Sequence, residues 1–226
     1  MRRPVALAIA AILALAIVTP VSAGGNQSFH YAAKGVGADA LWTTYPVDGT
    51  PVAGTIYRDT FTSASTSITR SDGVVFSGSG MFIESFTYKF DRKGNFVPLG
   101  DTFVFIDGAT LTVDQKLTGA TVAGSGTADV CSIDTSGMLA CTSGTISFAG
   151  TWTGQGPLNR QHGTTTWGIA GVVQSTWHGT GTFRAATAVG TLTVNGATIA
   201  IGANLDADMY SMRSGENDLF ICHGTC

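Results

Sequence analysis

Thr191-Leu192-Thr193-Val194-Asn195-Gly196-Ala197-Thr198-Ile199-Ala200-Ile201 is the stretch that decides the fold. Asn-Gly between two alternating runs suits a two-residue type I′ turn, in which both central residues need positive φ. That turn pairs Val194 with Ala197 and Leu192 with Ile199. One face then carries Leu192, Val194, Ala197 and Ile199, and the other Thr191, Thr193 and Thr198. Turn chemistry and hydrophobic alternation agree, so this segment is a β-hairpin with one buried face.

The same grammar extends outward. Charged residues make up 12% of the 226-residue chain, about half the usual share, and Gly reaches 30. Glu and Lys are scarce, while Thr, Val, Ile and aromatics dominate between glycines, which is strand-and-turn chemistry. A hydrophobic content of 44% can fill a core, which argues against a disordered chain. Strands are predicted over 36–45, 52–62, 74–90, 96–107, 109–116, 117–123, 126–134, 138–142, 144–153, 164–178, 181–189, 191–194 and 197–202. The turns Asp48-Gly49, Ser71-Asp72-Gly73 and Asp91–Asn95 separate the early ones, and residues 150–162 form the best candidate for a long loop. The fold class is therefore all-β, an antiparallel barrel or sandwich in one domain of about 10–14 strands.

The chain opens with Arg2-Arg3, an uncharged run from Val5 to Val18, and Val21-Ser22-Ala23. A basic start, a short apolar stretch and a small-x-small exit form a secretory signal peptide over residues 1–23, cleaved after Ala23. Residues 24–226 form the secreted or cell-envelope domain. The whole chain has 12 basic and 15 acidic side chains, and losing Arg2 and Arg3 leaves a net charge of −5. Apart from Arg92-Lys93, basic residues are scattered singly, which disfavours nucleic acid and anionic membrane surfaces as partners.

Four cysteines in an exported chain predict two disulfides. A three-residue loop at Thr135-Ser136-Gly137 sets Ile133 opposite Leu139 and Cys131 opposite Cys141. Directly opposed Cβ atoms lie about 4.5–5.5 Å apart, close to bridging range. Cys222 and Cys226 are expected to pair at the other end, with Gly224 letting the small ring close; a redox pair, a metal site using His223 and intermolecular pairing are the alternatives.

Trp167, Ile169, Val173 and Trp177 share one parity, as do Phe82, Phe86, Tyr88 and Phe90. Each set is expected to face the core. The functional alternative is a sugar- or lipid-binding platform at Trp167 and Trp177, with His178 at its rim.

No G-x-S-x-G elbow and no H-E-x-x-H helix occurs. Glu84 shares parity with Phe82 and Phe86, and a carboxyl flanked by rings would have the raised pKa of a general acid. It is the one weak catalytic candidate. Asn204, Asp206 and Asp208 alternate on a strand and are weak calcium candidates.

Gly179-Thr180-Gly181-Thr182-Phe183-Arg184-Ala185-Ala186-Thr187-Ala188-Val189-Gly190 resembles the G-x-G-x-F-x-x-A-x-G strand-turn of dirigent and allene-oxide-cyclase-like eight-stranded barrels. Ala188-Val189 stands where that pattern has glycine. The resemblance implies a barrel, and no catalytic residue of those families is carried over by it. The expected function is a non-enzymatic binding module for a carbohydrate, a small apolar ligand or a protein. The alternatives are a secreted hydrolase or isomerase with a site near Glu84, and a structural surface protein.

Overall fold

A computed structural model describes residues 27–46, 49–71, 74–133, 138–169, 173–214 and 217–221. The predicted leader and the Cys222–Cys226 pair lie outside them. The described residues form twelve strands and no helix: β1 (Gln27–Thr43), β2 (Ile56–Ser71), β3 (Val74–Phe90), β4 (Phe96–Asp107), β5 (Thr110–Val113), β6 (Gly119–Ile133), β7 (Leu139–Gly154), β8 (Asn159–Ile169), β9 (Val173–Val194), β10 (Ala197–Ile199), β11 (Ala203–Ser214) and β12 (Asn217–Ile221). None of these is a helix that could cross a membrane.

The pairings close on themselves. β1 pairs with β2, β2 with β3, β3 with β4, and β4 with β6. The path continues through β7 and β9 to β11, which returns to β1, and every ladder is antiparallel. β8 continues the course of β7 along β9, β5 pairs with β6, β10 pairs with β9, and β12 bridges β1 and β9. The Asn195-Gly196 hairpin has the expected register, with Val194 opposite Ala197 and Leu192 opposite Ile199. Its turn residues have φ of 50° and 79°, as a type I′ turn requires.

One layer of the core shows how the interior is filled. Trp42, Thr60, Ser85 and Thr102 are successive partners around the wall. A single indole occupies the space that three small side chains leave. Trp42 also packs on Phe148 and Trp152, with ring centroids 5.6 and 6.2 Å away. Both indole N–H groups donate to backbone carbonyls, Trp42 to Ala188 at 3.2 Å and Trp152 to Asp39 at 2.8 Å, so neither buries an unpaired donor.

Several sequence expectations are corrected here. Thr164–His178 is two strands folded together, with Ile169 opposite Val173. The long loop over 150–162 shrinks to residues 155–158, since β7 runs to Gly154 and β8 starts at Asn159. Runs read as separate strands are continuous, because β6 passes through Gly124-Ser125, β7 through Ser143 and β9 through Gly190. The Phe82 and Phe86 row does not face the core. Met81 and Ile83 are buried there, whereas Phe82, Glu84 and Phe86 are half-buried on the outer face. Tyr88 keeps the phase of Phe86, whose ring it stacks on with centroids 6.0 Å apart, and is buried on that face by Tyr57, Phe90 and Phe96.

Candidate functional site: the open end of the strand circuit

Inside the wall the side chains change character along each strand. On β1, buried Ala38 and Ala40 give way at alternate positions to Val36 and Lys34. On β2, buried Ala64 gives way to Thr66 and Ile68, and on β3 Met81 gives way to Ser79 and Ser77. On β11, Ala207 and Met209 are followed by Ser211 and Arg213. No register shift interrupts these runs, so all eight side chains share the phase of the core. Together they line a cavity of about 860 Å³. Packing stops at Ala38, Ala64, Met81 and Met209, and hydroxyls and cations take over.

The register arranges this wall in two rows. One runs Arg160, Thr182, Ser211, Val36, Thr66, Ser79 as successive cross-strand partners. The next runs His162, Thr180, Arg213, Lys34, Ile68, Ser77. Lys34 and Arg213 are therefore directly opposed and both exposed. Neither row contains a carboxylate. Asp107 borders the cavity but pairs with Gly80, in phase with the outer face. This grouping is not visible along the chain, because residues 34, 160, 162 and 213 are far apart in it and only the ladders between β8, β9, β11 and β1 make them neighbours.

Glu84 lies elsewhere. It faces outward between its partners Phe61 on β2 and Phe103 on β4. Partial burial, and then the Asp101 carboxylate, push its pKa up. The surrounding outer face is aromatic: Phe82 and Phe105 have centroids 4.7 Å apart, and Phe103 and Phe105 are exposed. Arginine and histidine do not appear among the cross-strand partners of Glu84.

The calcium candidates are placed as follows. Asn204 accepts a hydrogen bond from the Ala188 N–H at 3.0 Å and donates to the carbonyls of Leu41 at 3.1 Å and Asp206 at 3.0 Å. Its amide is thus committed to backbone beside the irregularity at Leu41/Trp42. Asp206 and Asp208 pair with Leu41 and Asp39. Among the described residues, no group of three His, Cys, Asp or Glu side chains is placed to hold a metal. Burial, reinforced by Asp208 and Asp206 and opposed by a Ser63 hydroxyl bond, holds the Asp39 carboxyl up at about 7. The Tyr210 ring lies across Gly37 beside it, and burial with the Asp39 charge pushes that phenol well up.

Trp167 pairs with Ser175 and Trp177 with Thr165; their side chains lie outside the described set. His178 pairs with Thr164, whose hydroxyl is 2.7 Å from Nδ1. Cys131 and Cys141 are direct partners, joined by an S–S bond of 2.14 Å, with Ile133 opposite Leu139 as the hairpin reading required. Comparison with family models, curated proteins and solved structures finds no match to this chain.

Proposed function

We propose that this chain is an exported, non-enzymatic binding module, a β-barrel whose small ligand enters the open end beside Lys34 and Arg213. The observation that carries the reading is the cavity of about 860 Å³ on the inner wall, where the core alternation continues but the side chains turn polar. That volume falls in the usual range for small-molecule sites, about 300–1,000 Å³. The leader and the Cys131–Cys141 bridge support an oxidising compartment outside the cytosol. A hydrolase or isomerase around Glu84 has less support, since Glu84 does not border the cavity and its neighbours across the sheet are Phe61 and Phe103. A second reading, docking of another protein on the outer sheet, is favoured by the exposure of Phe103 and Phe105 beside Phe82.

The test is a thermal-shift screen of the processed chain with sugars, medium-chain fatty acids and short peptides. A ligand that binds only the folded form raises the melting temperature with concentration. Ser79→Trp fills the cavity from its wall, and Ser77→Trp does so from the adjacent row. The reading requires at least one ligand class whose shift disappears in a folded Trp variant. It is lost if no class shifts the melting point, or if every shift survives both substitutions.

A further inference from the structure

The chemistry of the cavity wall identifies a ligand class, an inference that rests on the small-ligand reading above. Lys34 and Arg213 are exposed and directly opposed on the β1·β11 ladder. Like charges directly opposed across a ladder destabilise a sheet. Neither inner row supplies a carboxylate; Asp107, on the outer phase, is the one acid that borders the cavity, and Arg160 extends one of the rows. The fold concentrates cations at one end of a chain whose formal charge is −3. Such a placement costs stability unless something negative sits between the side chains.

The rest of the wall narrows the ligand. Thr66, Ser77, Ser79 and Ser211 contribute hydroxyls that both donate and accept, while Val36 and Ile68 are apolar members of the two rows. A fatty acid would leave most of those hydroxyls without partners, and a bare inorganic anion would leave most of the volume unfilled. We propose that the open end binds an acidic carbohydrate of one or two rings, its carboxylate or sulfate held between Lys34 and Arg213 and its hydroxyls bonded to the Ser and Thr row. Arg213 offers a planar fork for a bidentate contact, and Lys34 a point charge facing it. The shared chemistry is an anionic group on a polyhydroxylated ring; a uronic acid and a sugar sulfate both satisfy it.

The experiment is calorimetric titration of the processed chain with glucuronate, galacturonate dimer, glucose 6-sulfate, glucose, cellobiose, octanoate and inorganic sulfate, in low and high salt. At least one acidic sugar should bind at least tenfold more tightly than its neutral counterpart, octanoate or sulfate alone, and weaken as salt rises. Lys34→Gln and Arg213→Gln should each lower that affinity about tenfold or more while keeping the β-rich circular dichroism spectrum. Lys34→Arg should retain most of it. Neutral sugars or octanoate binding as well as the acidic sugars, with loss in Ser79→Trp, would leave the cavity standing and overturn the anionic-sugar assignment. Sulfate binding as tightly as the sugar sulfate would overturn the carbohydrate half. Acidic sugars that bind unchanged to both Gln variants would overturn the assignment to Lys34 and Arg213. No binding by any probe, in this series and in the thermal screen, would remove the cavity reading and this inference together.

Discussion

Gly150 and Gly190 face each other across the β7·β9 ladder, and the Phe148 ring fills the gap their missing side chains leave. A Cβ at Gly190 would stand 2.6 Å from Phe148 Cζ, and one at Gly150 would stand 2.8 Å from Cε1. Both distances are shorter than carbon atoms tolerate. Phe148 has little freedom to move, because it packs against Trp42 and Trp152. Gly190→Ala should therefore destabilise the fold by about 1–3 kcal/mol, read as a lower urea midpoint with an unchanged slope. Adding Phe148→Leu should restore part of the loss, because the two changes share one contact.

Asp39 gives a pH signature. Its carboxyl is raised from 3.8 to about 7 by burial first, then by Asp208. The folded chain therefore holds this proton more tightly than the unfolded chain does. The stabilisation is complete below about pH 4 and is lost as pH rises toward 7. Asp39→Asn removes that loss, so the variant should gain on the wild type between pH 4 and 7. The gap should reach about 1–4 kcal/mol at neutral pH, following about 1.4 kcal/mol per pKa unit. Chemical denaturation at pH 4, 5.5 and 7.5 measures it. A gap that is widest at pH 4 would contradict the assignment.

The Cys131–Cys141 bridge closes a short loop, with a sequence separation of 10. Its loss should cost about 2–3 kcal/mol without opening the fold, since the β6·β7 ladder runs from Gly119↔Thr153 to Ile133↔Leu139. Cys131→Ser with Cys141→Ser should keep the circular dichroism spectrum and lower the urea midpoint. Dithiothreitol should lower the wild-type midpoint by at least as much.

Asn204 is predicted to matter for architecture. Replacing it by Ala leaves the Ala188 N–H and the Leu41 carbonyl without their partner, next to the register irregularity in β1. A loss of about 1–3 kcal/mol is expected. Amide exchange at Ala188 should accelerate more than at Leu192, which lies deeper in the same strand.

How much of this was legible in the sequence depends on which residues carried the signal. The Asn195-Gly196 hairpin and the Cys131↔Cys141 register were readable because turn length fixes pairing locally. The orientation of β3 was not. Met81 and Ile83 compete with Phe82, Phe86 and Tyr88 for the inside, and both sets are largely apolar. The decision comes from Trp42, on a different strand, whose indole fills the layer and leaves room only for Ser85 beside it. Gly190 misleads differently: it falls in the gap between two predicted strands, but it is a site where the Phe148 ring needs space inside a continuous β9. The cationic end was invisible because it is a property of closure.

That closure has a consequence for biogenesis. The seam joins β1 to β11, for example Lys34 to Arg213 and Thr43 to Ala203, so the earliest strand cannot acquire its second neighbour until nearly the entire polypeptide has emerged. Contacts so distant in sequence form slowly, and a half-made sheet presents two sticky borders in the meantime. Until that seam forms, β1 and β11 each keep an open border that invites pairing with another copy.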